Sequence, residues 1–123
     1  MMNRHYKALE LDKILDLLAG ETGCADAAAM ARGLEPEIEL SEVRRLLAET
    51  GDAHMLMARF GSPSFGQIKN VTNALRRAGA GASLSLRELL DIAETLRVIR
   101  SMVEWRAHCA GVDTSLDERF SVL

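Results

Sequence analysis

The chain has 123 residues, one domain's worth, and a chain of that size buries roughly two thirds of its unfolded surface without a metal or disulfide staple. Hydrophobic residues make up 48% and charged residues 27%, but only 4% are aromatic and only two are prolines. Leu, Ala, Glu, Arg and Met, which favour helices, outnumber the β-branched residues, so the composition predicts an all-α fold, an irregular bundle of about five helices within a single domain over residues 1–123. The net charge of −3 and the pI near 5.6 remove the bulk electrostatic drive toward a nucleic-acid backbone. Twelve of the 15 basic residues are arginines, suited to fixed hydrogen-bonded pairs.

The two cysteines, Cys24 and Cys109, lie far apart and form no CxxC pair, which predicts reduced thiols. No apolar run reaches the roughly 20 residues that span a bilayer. The opening Met1-Met2-Asn3-Arg4-His5-Tyr6-Lys7 lacks the apolar stretch of a secretory signal. A cytoplasmic protein without a membrane partner is expected.

In chain order, LELDKILDLLAG places Leu11, Ile14, Leu15 and Leu18 on one helical stripe, with Gly20 expected at positive φ as its C-cap. Thr22 is the expected N-cap of an alanine-rich helix running to about Arg32, closed by Gly33 and the turn around Pro36. A long helix is predicted over residues 39–59, with Leu40, Val43, Leu47, Thr50, Ala53, Leu56, Met57 and Phe60 along its stripe. Glu42–Arg45 and Arg45–Glu49 stand at neighbour spacing on its solvated side. Gly51 inside it costs about 1 kcal/mol relative to alanine and marks an expected weak point.

GSPSFG at residues 61–66 is the clearest loop. A short helix is predicted over 70–78, then the GAGAS joint. Ser85 with Glu88 three residues on forms a capping box that opens a long helix over 86–110, ended by Gly111. In the tail, Thr114 or Ser115 signals another helix start, so residues 111–123 read as the beginning of a further helix that is cut short. Leu89, Ala93, Leu96, Ile99 and Val103 form the expected core stripe of the last long helix. A second stripe, Val98, Met102, Trp105 and Cys109, runs beside it. Two apolar faces on one helix imply neighbours on both sides, and the second stripe is therefore the candidate docking surface for a partner or a second copy. The alternative is that Trp105 folds back onto the first helix.

Catalytic signals are missing from the sequence. His5, His54 and His108 stand apart at no metal-ligand spacing. Glu35, Glu37 and Glu39 read as a solvated turn with helix N-terminal charge more readily than as an acid–base pair. The glycines at 79 and 81 have no following Lys-Ser or Lys-Thr and no preceding strand, which argues against a phosphate loop. Enzyme activity, a metal and a cofactor within the chain are not expected. Arg76, Arg77, Arg97 and Arg100 are candidates for weak phosphate contact, weighed against pairing with the 18 acidic residues.

The opening LELDKILDLLA and the longer RFGSPSFGQIKNVTNALRRAGAGASLSLRELLDIAETLR resemble the second-type bacterial MutS paralogue family, which lacks the mismatch-recognition domain and begins directly at its helical core. The resemblance runs without gaps over about residues 5–105, with Ser64, Gln67 and Asn70-Val71 departing from the usual pattern. It implies the first half of the core, or lever, that joins a DNA-encircling clamp to an ATPase head. The parent would be a dimeric ATPase and endonuclease, using ATP and Mg, that acts on DNA to suppress recombination or assist repair, or that rescues ribosomes. None of its ATPase or nuclease motifs falls in this chain. The partners implied are the remaining core, clamp and ATPase domains of the parent, and DNA through the parent. The competing reading is a stand-alone helical protein-interaction or dimerisation module. A helix-turn-helix regulator is disfavoured because no basic recognition helix is present.

Overall fold

The structure, a computed structural model, describes residues 4–123; the part of the leader-segment reading that concerns residues 1–3 lies outside these. The described residues form seven helices and no strand: α1 Arg4–Ala8, α2 Leu11–Gly20, α3 Ala25–Arg32, α4 Leu40–Phe60, α5 Thr72–Gly79, α6 Leu86–His108 and α7 Asp117–Phe120. The fold is all-α as expected, with the short helix α1 added to the five predicted and α7 formed where the tail signalled a further helix start. Residues 61–71 carry no regular structure, five residues more than the GSPSFG loop alone.

The chain divides into two compact units. Met1–Glu35 with Gln67–Asp91 forms one, and Pro36–Gly66 with Ile92–Leu123 forms the other. Long helix α6 starts in the first and continues in the second.

In the first unit α2 packs on α1 and α3. Leu15 and Ala19, one turn apart on α2, are buried, as are Ala31 of α3 and Ala74 of α5. Polar ties surround this small core. The Arg32 guanidinium donates to Asp16 at 2.8 Å, the Asn70 amide to Asp26 at 2.7 Å, and Arg77 to Glu88 at 2.9 Å. The predicted capping box forms: Glu88 N donates to Ser85 Oγ at 3.2 Å, and Ser85 N to the Glu88 carboxylate at 2.8 Å.

Several predicted caps are corrected. Gly20 lies inside α2, whose C-cap is Glu21 in right-handed helical geometry. Gly33 closes α3 as expected, at φ −85°, by donating to the Ala29 and Met30 carbonyls. Thr22 does not cap α3; its hydroxyl donates to the Ala19 carbonyl at 2.7 Å, serving the end of α2, and Cys24 occupies the N-cap position. Glu10, at φ 58°, makes the break between α1 and α2.

In the second unit α4 is helical from Leu40 to Phe60 straight through Gly51; the predicted weak point does not interrupt it. A methyl group added at Gly51 would meet no heavy atom within 4 Å. Gly51→Ala is therefore expected to stabilise the protein by about 1 kcal/mol, raising the thermal midpoint by on the order of 4 °C in calorimetry. No helix among the described residues is long and apolar enough to cross a membrane.

The two stripes of α6 are exchanged relative to expectation. Val98 is 6% exposed and Cys109 is fully buried, while Leu89, Leu96 and Val103 of the predicted core stripe are 51%, 61% and 44% exposed. Ala93 and Ile99 are half-buried. Each stripe has helical periodicity, so hydrophobicity does not rank them; the contacts of the loop after α4 and of the tail do, as described below.

The chain exposes 9454 Å², against roughly 6500 Å² for a compact monomer of its mass. Two separate compact bodies of half that mass would together expose only roughly 7900 Å². Uncovered apolar side chains stand in both units, among them Leu17, Met30, Leu47 and Leu96, at 74%, 76%, 66% and 61% exposure.

Candidate interaction surface

The second unit is closed by its tail. Gly61 ends α4 at φ 82°, and its carbonyl accepts the Trp105 indole N–H at 3.0 Å. The Trp105 ring lies 6.2 Å from that of Phe120, and Phe60 meets His108 edge-on at 6.2 Å. Trp105 thus packs at the end of α4 and on α7.

Around these rings Met57, Phe65, Met102, Trp105, Leu116 and Phe120 line an apolar groove of about 280 Å³, with Arg119 at its rim. The proposed docking stripe is corrected accordingly. Val98 and Cys109 are buried inside the chain, because α6 turns that face toward its own unit. Only Met102 and Trp105, both half-buried, reach the groove.

A lattice of arginines and carboxylates fastens the tail. Arg106, whose side chain is 18% exposed, donates to the Asp117 carboxylate, to the Val112 carbonyl at 2.9 Å and to the Cys109 carbonyl at 3.2 Å. It thereby satisfies a carbonyl at the C-terminal end of α6 where a cation is favoured. Ser115 donates from both its N–H and its hydroxyl to Asp52, at 2.8 and 2.6 Å. Arg119 donates to Glu49 at 2.7 Å. Arg45 donates to Glu49 at 2.6 Å and also to Glu42, so both predicted pairs of α4 are present.

These partners set the titration of the lattice. The Arg106 hydrogen bond holds Asp117 below the ordinary carboxylate range, aided by the Thr114 amide. The Ser115 hydroxyl and amide lower Asp52, and the Arg119 hydrogen bond lowers Glu49. Arg45 lowers Glu42 and is itself raised by it. A carboxylate with a depressed folded-state pKa adds stability that is present above its unfolded value and lost as pH falls through the folded one. The tail is therefore expected to stay fastened at neutral pH and to release below about pH 4. Trp105 fluorescence, followed from pH 7 to 2, should change in that window before the helical circular dichroism is lost.

Arg76 and Arg77 end α5 in the first unit; Arg97 and Arg100 lie on α6 in the second. Arg77 is spent on Glu88 and Arg97 on Glu94 at 2.7 Å, as pairing with acidic neighbours predicts. Arg76 and Arg100 are exposed and make no ion pair among the described residues.

The glycine joint after α5 closes that helix. Gly81, at φ 85°, donates to the Ala78 carbonyl at 2.9 Å, and Ala82 donates to Arg77 at 3.0 Å. This is a Schellman closure, whose amides already serve the helix end. Among the described residues no three His, Cys, Asp or Glu side chains gather as a metal site.

Sequence reasoning missed Asp52, Arg106, Asp117 and Arg119. One local signal was available: Thr114 and Asp117 have capping-box spacing, and Thr114 N donates to the Asp117 carboxylate at 3.1 Å.

Comparison with known proteins decides the relationship. Endonuclease MutS2 of Acetivibrio thermocellus is 33% identical over 108 residues, 88% of this chain. That of Agathobacter rectalis is 35% identical over 81% of the chain, and that of Halothermothrix orenii is 28% identical over the whole of it. The chain is MutS2-related. It spans about one seventh of these relatives, 14% of the first and 16% of the last. No family model matches the chain, and no solved structure does.

Proposed function

We propose that the chain serves as a non-catalytic helical core, or lever, segment of a longer MutS2-type protein, passing movement between an ATPase part and a DNA-holding part. ATP, Mg and the nuclease chemistry belong to other parts of that protein, which works in the cytoplasm on DNA, in suppression of recombination or in repair. The observation that carries this reading is the surplus surface. A chain with apolar side chains such as Leu17, Met30 and Leu47 open to water suits a piece whose neighbours cover them. Its relatives, about six times as long, supply such neighbours, and they are endonucleases by name.

The test is a chimera in which this chain replaces the matched segment of the Acetivibrio thermocellus relative. The chimera is expected to be soluble and to keep that relative's endonuclease activity. Leu17→Asp, at a side chain 74% exposed, should lower the activity of the chimera while leaving the thermal midpoint of the isolated chain unchanged. The isolated chain should show neither ATP hydrolysis nor appreciable duplex affinity at physiological salt. An inactive, aggregated chimera alongside a well-folded isolated chain would sink the reading, as would tight duplex binding by the isolated chain.

A further inference from the structure

We infer that the exposed face of α6 in the second unit is a self-docking surface, on which the same helix of a second copy lies antiparallel. Leu96 and Val103, seven residues apart, are 61% and 44% exposed. Ala93, Arg100 and Ala107 fall between and beside them at heptad positions, so residues 93–107 read as a coiled-coil seam on the side of α6 away from Val98 and Cys109. Next to the seam, Val103 and Ala107 continue into a shallow depression shared with Ala110 and Phe120.

The pattern is complementary to itself only when the copies run in opposite directions. A two-fold axis near residues 101–102 sets Leu96 of one copy over Ala107 of the other, and Val103 over Arg100. A large side chain then meets a small one in the outer layers. The same register brings Arg97 of one copy beside Glu104 of the other, twice by symmetry. Arg100, lying over Val103, extends its guanidinium toward that same Glu104. A parallel, in-register pair would instead stack Arg100 on Arg100, which like-charge repulsion opposes.

The charges needed are free to make these bonds. Arg100 and Glu104 are both exposed and neither makes an ion pair among the described residues. They stand one turn apart yet do not pair with each other. Arg97 holds only Glu94, in a pair whose side chains are 69% and 46% exposed; exchanging a surface pair of that kind costs little. Arg97 and Arg100 are thereby assigned to a carboxylate of a second copy in preference to a phosphate. One helix face falls short of the roughly 800 Å² per partner of a stable complex, so the association is weak, with a dissociation constant on the order of 100 µM.

Sedimentation velocity of the full chain between about 10 µM and 1 mM tests this, bracketing the affinity just given. A monomer–dimer equilibrium is expected. Leu96→Asp should weaken it at least tenfold, a change of about 1.4 kcal/mol or more, with the helical circular dichroism intact because Leu96 is exposed. Arg97→Glu and Glu104→Arg should each weaken it, and the two together should restore it. A monomer at every concentration overturns the proposal and leaves the face to a foreign helix. A dimer indifferent to Leu96→Asp, or a charge-reversed pair as weak as the single variants, overturns it equally. The chimera with Leu17→Asp does not pass through these residues, so the two readings fail separately.

Discussion

Leu56→Ala is expected to cost about 2–5 kcal/mol. Leu56 is fully buried, and with Cys109 it is one of the two largest side chains that water does not reach. Cutting its isobutyl side chain back to methyl removes the transfer energy of three carbons and leaves a void that neighbours refill only in part. The second unit has little reserve against this, since Leu56, Val98 and Cys109 are its only buried apolar residues among those described. Native stabilities of about 5–15 kcal/mol are reduced by a loss of that size to a state that unfolds well below its normal denaturant midpoint. Urea unfolding followed by Trp105 fluorescence reads the effect. Leu56→Met, which nearly conserves volume, should cost less than about 1.5 kcal/mol. Equal losses for the two would show that Leu56 is not packed as described.

What the sequence disclosed about this fold was local. The Ser85–Glu88 box needs only two side chains three residues apart and one helix start, and it forms as read. Arg45 with Glu42 and Glu49 is likewise decided within one helix. Thr22 reads as the N-cap of α3, but its one hydroxyl stands between two helix ends, and the carbonyl of Ala19 takes it. The two stripes of α6 failed for a different reason. Leu96 and Val98 are both apolar and both at helical spacing, so periodicity ranks neither. The ranking comes from partners far away in sequence: Gly61 accepting from Trp105 across 44 positions, and Asp52 holding Ser115 across 63. No hydrophobic pattern encodes such pairings. The family resemblance was legible because loop chemistry, joint and helix start occur in order, whereas the face left for a partner depended on which stripe the tail and loop had already covered.

The same long-range packing makes Gly66 the most constrained glycine, and Gly66→Val should cost roughly 2–5 kcal/mol by adding two separate penalties. The first is conformational. Gly66 sits at φ 56°, where an L side chain loses about 1–2 kcal/mol and a β-branched one is least at home. The second is steric: a Cβ there would lie 3.0 Å from Val98 Cγ2 and 3.7 Å from the Glu94 carboxylate. Val98 is 6% exposed, so it cannot swing into solvent, and overpacking of this kind costs about 1–3 kcal/mol. Two further variants separate the terms. Gly66→Asn tolerates the left-handed backbone and should suffer chiefly the clash. Gly66→Val in a Val98→Ala background should recover the clash and keep the backbone strain, giving a favourable coupling of about 0.5–3 kcal/mol in the double-mutant cycle. Additive losses in that cycle would mean that the loop after α4 does not approach α6 at Val98. The exchange of stripes on α6 would then lose its physical cause, since this close approach is what turns Val98 inward and leaves Leu96 and Val103 facing water.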